Sequence, residues 1–212
     1  MCVFGVAVGW FEAAVVTYLR VAYYPDGLRF PLAPLPGNLL RVELAREAAS
    51  IVLLAACARL AGRHFLERFA AFMVLFGIWD LVYYAGLWLT LDWPASLATL
   101  DILFLIPTPW VGPVWAPCAV SVALIGGGSW IYLTPEREHR VTALDWVVEI
   151  AAGLVIIGAM MTAGHAIEGS AVPLDDAAAR EFPVAWFWAG LLLGVGWFVW
   201  REARAAGSSA RS

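Results

Sequence analysis

Apolar runs of about 20 residues, the length a helix needs to cross a bilayer core of about 30 Å, recur six times along this chain. They fall near Val3–Val21, Leu39–Leu60, Phe69–Leu91, Val111–Leu133, Val141–Ala163 and Pro183–Trp200. Between them little is left, so no separate water-soluble domain fits. The reading is an all-α polytopic membrane bundle: one transmembrane domain over residues 1–200, then a short basic polar tail, 201–212, in the cytoplasm. Composition agrees, with 62% hydrophobic and only 14% charged residues, against roughly 25% charged in an ordinary globular chain.

The stretch Leu97–Pro109 is apolar as well, but as a helix its length would reach only about 20 Å. Pro107, Pro109, Pro113 and Pro117 follow closely. Residues 97–110 are therefore read as a re-entrant or interfacial segment leading into a kinked fourth span. The longest loop, Tyr24–Asn38, carries the turn signal Pro25-Asp26-Gly27. No internal repeat of fixed period is visible, which argues against an inverted-repeat transporter.

Orientation follows from the arginines, because cytoplasmic flanks carry the excess of basic residues. All 13 basic residues are Arg. Eight lie on one set of flanks (Arg59, Arg63, Arg68, Arg137, Arg140, Arg201, Arg204, Arg211) and four on the other (Arg20, Arg29, Arg41, Arg180). Both termini are expected in the cytoplasm, as an even span count requires. The first apolar run reads as a span rather than a cleavable signal. Trp93, Trp110, Trp130, Trp186 and Trp200 fall near span ends, where indoles favour the headgroup layer.

The same composition narrows the chemistry. Without lysine there is no Schiff base and no P-loop. Three Cys without a C-x-x-C pair disfavour a thiol–disulfide enzyme or zinc ribbon. A net charge of −4 without a basic tract disfavours nucleic acid. His64 and His139 read as solvated loop residues, and His165 falls at the opposite end, so neither a bis-histidine haem nor a His₃ zinc site assembles. Gly127-Gly128-Ser129-Trp130 lacks the glycine that follows serine in rhomboid-type proteases. No cofactor or metal is expected, and enzyme activity is the less favoured class.

Charged residues inside spans are the informative feature, since each costs about 2.5–3.5 kcal/mol at a helix centre. The candidate intramembrane cluster is Glu12, Glu43, Arg46, Glu47, Asp80 and Glu149, with Asp145 nearer the cytoplasmic face. Glu43, Arg46, Glu47 and Ser50 are spaced i, i+3, i+4, i+7, one stripe of a helix. Arg46 is expected to pair with Glu43, Glu12 or Asp80, and Glu12 with Asp80 to form a mid-membrane carboxylate pair. Tyr83 and Tyr84, one turn beyond Asp80, are placed to hydrogen-bond it, although packing is the commoner role of such aromatics. Asp92 and Asp101 are read as helix N-caps. Two functions fit: a proton- or cation-linked transporter or channel, or a non-enzymatic scaffold or partner subunit locked by a structural polar core. The expected partners are the lipid bilayer, a proton or cation, and a second copy or membrane partner.

The run Phe76–Pro117, with Trp79-Asp80, Tyr83-Tyr84, Trp93-Pro94 and Asp101-Ile102-Leu103-Phe104-Leu105-Ile106-Pro107, resembles a family of uncharacterised bacterial multi-pass inner-membrane proteins. Glu12, Tyr18-Leu19-Arg20, Tyr24-Pro25 and Arg46-Glu47 are similar to its N-terminal pattern. The likeness fades after Gly126. It implies the architecture and a bacterial inner membrane, and no activity.

Overall fold

The computed structural model describes residues 1–24, 38–104, 108–134, 139, 141–168 and 182–209. Among these residues there are six helices: α1 (Cys2–Tyr23), α2 (Leu39–Ala61), α3 (Phe65–Leu91), α4 (Trp115–Leu133), α5 (Ala143–Glu168) and α6 (Val184–Ser209). Between α3 and α4 lies an antiparallel hairpin of β1 (Leu100–Phe104) and β2 (Trp110–Pro113). Among the described residues, five helices are long and apolar enough to cross a membrane: α1, α3, α4, α5 and α6. The architecture is a helical bundle of multi-pass membrane type. Its outer faces carry large apolar side chains such as Leu53, Leu60, Leu89, Leu154 and Leu192, the pattern of a surface solvated by lipid rather than water.

The longest helix, α3, is also the most enclosed. It runs parallel to α1 along a seam of small residues. Gly5 faces Ile78, Gly9 faces Trp79 and Val82, Ala13 faces Gly86, and Thr17 meets Thr90 at 2.8 Å. The step of four on both helices keeps one row in register along the contact. A Cβ on Gly9 would stand 2.6 Å from the Trp79 carbonyl oxygen, so the backbones approach as in small-xxx-small membrane packing. On its other side α3 packs antiparallel to α4, with Gly77 against Ser121 and Gly128 against Ala70. The pair α5 and α6 is antiparallel too, with Gly190 against Ala152 and Ile156.

Two apolar cores result. Leu54, Ala58, Ala71, Leu75 and Trp79 join α2 to α3. Leu100, Val111, Ala159, Met160, Phe182 and Phe187 gather the hairpin, α5 and the start of α6.

The hairpin occupies the segment expected to be re-entrant or interfacial. Leu100 pairs with Pro113, Asp101 with Gly112, Ile102 with Val111 and Phe104 with Trp110. A short apolar run has no period that separates helix from strand, and the prolines after Phe104 oppose a helix. Pairing the two arms satisfies their backbone groups without water. As a consequence α4 begins at Trp115, not Val111, with Pro117 tolerated in its first turn. At the other terminus, residues 201–209 continue α6 instead of forming a separate tail; Arg, Glu and Ala are strong helix formers. The Pro25-Asp26-Gly27 turn, Pro107, and arginines 29, 137, 140, 180 and 211 lie outside the described residues.

Candidate functional site

Glu12 sits at the middle of α1, 6% exposed. The stripe on α2 reaches across to it. The Arg46 Nε donates to the Glu43 Oε2 at 2.9 Å, and its terminal nitrogens donate to the other Glu43 oxygen and to Glu12 Oε1. One turn further, the Ser50 hydroxyl donates to Glu12 Oε2 at 2.8 Å. Helical spacing on α2 thus presents a cation and a hydroxyl to one carboxylate on α1 and ties the helices together.

Asp80, past the middle of α3, has a different partner. The Ser121 hydroxyl of α4 donates to its Oδ2 at 2.7 Å. Glu12 and Asp80 line the same cavity without forming the expected pair, because Arg46 and Ser50 take one and Ser121 the other. Nor do the tyrosines serve Asp80: the Tyr84 hydroxyl donates to Asp101 Oδ2 at 3.2 Å.

Asp101 is the residue sequence reasoning misplaced most. It stands on β1, not at a helix N-cap, and is 1% exposed. The Arg20 guanidinium, from the last turn of α1, donates to its Oδ1 at 2.9 Å and lies 3.8 Å from the centroid of the Trp93 ring. Burial pushes the Asp101 carboxyl above its ordinary range, and the charge of Arg20 opposes that. Asp92 likewise caps no N-terminus; it closes α3 at its C-terminus in the left-handed conformation (φ 51°).

These groups line a partly open cavity of about 630 Å³ in the half of the bundle nearer the hairpin. Glu12, Glu43, Glu47, Asp80 and Asp101 contribute five carboxylates against the two guanidinium groups of Arg20 and Arg46, a formal excess of three negative charges. The rest of the wall is apolar and aromatic, with Leu44, Phe76, Trp79, Tyr83, Phe104 and Ile156 among its residues.

Glu149 lies elsewhere. Its carboxylate fills the notch at Gly194, 3.1 Å from where a Cβ would stand, between α5 and α6. Toward the end of the bundle away from the hairpin, Asp145 accepts bonds from Thr142 at the start of α5 and from the Trp197 indole, at 2.8 Å, on α6. His139 is not solvated: its side chain is 5% exposed and lies 3.2 Å from Glu202, which also accepts from Trp130. This second network fastens α4, α5 and α6. Among the described residues, no three of His, Cys, Asp and Glu come together in a way that would hold a metal ion.

A comparison with family models, curated proteins and solved structures finds no match for the chain.

Proposed function

We propose that the chain is a transporter or channel linked to a proton or cation, with the hairpin-side cavity as its path and Asp80 as the group that carries the exchangeable charge. The carrying observation is the cavity itself, which brings water-sized space to five carboxylates that outnumber the two arginines beside them. Charged side chains in a membrane interior face cavities or partners, and an excess of one sign selects the opposite sign. Glu12, Glu43 and Asp101 each contact an arginine. Asp80 is held by a hydroxyl, so its charge is the more readily exchanged.

All six helices cross the membrane in this reading. The parallel run of α1 and α3 supports it, since the chain must return across the bundle between them. Among the described residues only α2 lies there, and its 23 residues span about 34 Å. The hairpin then dips in from one side as a re-entrant element, its backbone satisfied by pairing and by burial in protein. The arginine bias supports cytoplasmic termini in a bacterial inner membrane.

A scaffold or partner subunit is the second reading, favoured by the closed Arg46–Glu43–Glu12–Ser50 network. Proteoliposomes separate the two. The parent should collapse an imposed proton or cation gradient. Asp80→Asn should slow that collapse while keeping the parent's melting temperature, because the amide mimics the protonated acid. A parent as tight as empty liposomes under every imposed ion gradient would favour the scaffold.

A further inference from the structure

We infer that the cavity receives an amphiphilic organic cation, an amine or onium group on an apolar body, with its charge at Asp80; this rests on the transport reading above. Size is the first argument. A volume of about 630 Å³ lies within the range of about 300–1,000 Å³ typical of pockets for drug-sized ligands. A bare proton or metal ion needs no such space. A desolvated metal ion would need several oxygen ligands at close range, whereas among the described residues no three such side chains converge. The acids instead stand along the wall, spaced by apolar and aromatic surface.

The wall chemistry gives the second argument. Phe76, Trp79, Tyr83, Phe104 and Trp110 line the cavity, and aromatic faces attract organic cations, most strongly where water is excluded. Asp80 is partly exposed although it lies deep within α3, and its surface belongs to the cavity lining. The ligand thus carries a cation and apolar bulk.

The cavity also has a route of entry. Leu40 and Leu44 of α2 and Gly153 and Ile157 of α5 border the same space. Helix α2 packs chiefly on α3, and α5 chiefly on α6 and the hairpin. The cavity therefore lies along the seam between two packed groups, where an amphiphile dissolved in the bilayer meets it.

The test uses the purified full chain in nanodiscs and the tertiary amine diphenhydramine, which combines a cationic nitrogen, an ether oxygen and two phenyl rings. Saturable binding above that of empty nanodiscs is expected. Asp80→Asn should weaken it about ten-fold or more, the scale of losing one close charge contact. Ile157→Trp, which fills the cavity without touching the charge, should weaken it as well, and gel filtration and melting check that both variants are folded. Diphenylmethyl methyl ether, which keeps the rings and the oxygen but lacks the amine, should bind no more than it does to empty nanodiscs. Parent binding equal to empty nanodiscs, or unchanged in both folded variants, would overturn the inference. Proton or cation flux without amine binding sinks this inference and leaves the transport reading standing. Asp80-dependent amine binding without flux supports the inference and sinks the transport reading.

Discussion

Arg46 holds two carboxylates from two helices, so its loss differs in kind from the loss of either acid. Removing one partner of a buried ion pair costs about 3–5 kcal/mol, because the other charge stays behind unpaired. Arg46→Met strands both Glu12 and Glu43, whereas Glu43→Gln leaves Arg46 with Glu12. Arg46→Met is expected to lower the melting temperature in detergent well below that of Glu43→Gln or Glu12→Gln. Equal melting of Arg46→Met and the parent would show that the network contributes nothing. The Arg46–Glu43 contact was legible in the sequence, because i, i+3 spacing puts both residues on one helical stripe. The acceptor of Arg20 was not. Asp101 lies 81 residues away on a strand, and only the tertiary fold brings the two together. Ser121 was equally hidden, since a lone serine in an apolar helix carries no signal until its neighbour is known.

Elements were legible where length and period speak, and illegible where neither does. Long apolar runs yield helices, but Leu97–Pro109 is too short for its period to tell strand from helix. What made it a hairpin is the pairing partner that follows it, Trp110–Pro113. The continuation of α6 beyond Trp200 was hidden by polarity, because Arg201–Ala206 leaves the apolar pattern while keeping strong helix formers. Helix contacts are set by the small-residue seams. Gly9 is the tightest point of α1 on α3 among the glycines of α1, with a would-be Cβ 2.6 Å from backbone oxygen and 2.8 Å from Val82. Neither atom is the free end of a flexible side chain, so the helices must part to accept bulk. Gly9→Leu should cost about 1–3 kcal/mol by overpacking and lower the melting temperature. Gly196, with nothing within 4 Å of its Cβ position, provides the control. Gly196→Leu should melt near the parent, and equal losses in both variants would mean that the seam is not what α1 depends on.

At the scale of the whole molecule, everything proposed for the cavity depends on how α2 lies. This helix is as long as its neighbours, yet Arg41, Glu43, Arg46 and Glu47 crowd its first turns, which lowers its apolarity below that of the five candidate spans. If α2 crosses the bilayer, those charges enter the membrane facing the cavity and the arginine, and the acids of the site sit in a low dielectric where one exchangeable charge matters. If α2 instead lies flat at the interface, the same residues are solvated and the cavity becomes a surface groove. The two arrangements separate cleanly by accessibility. Asn38 precedes α2 and Arg63 follows it, and both are exposed. In a chain whose Cys2, Cys57 and Cys118 are replaced by serine, single cysteines at positions 38 and 63 should react with a membrane-impermeant maleimide from opposite sides of inside-out and right-side-out vesicles. By the arginine bias, position 63 should be the cytoplasmic one and should share its side with Cys2, kept as the single cysteine of a third variant. Labelling of 38 and 63 from the same side would remove α2 from the membrane, and with it the mid-membrane setting on which the role of Asp80 is argued. It would also contradict the parallel packing of α1 and α3, because two helices that cross in the same direction need a crossing between them.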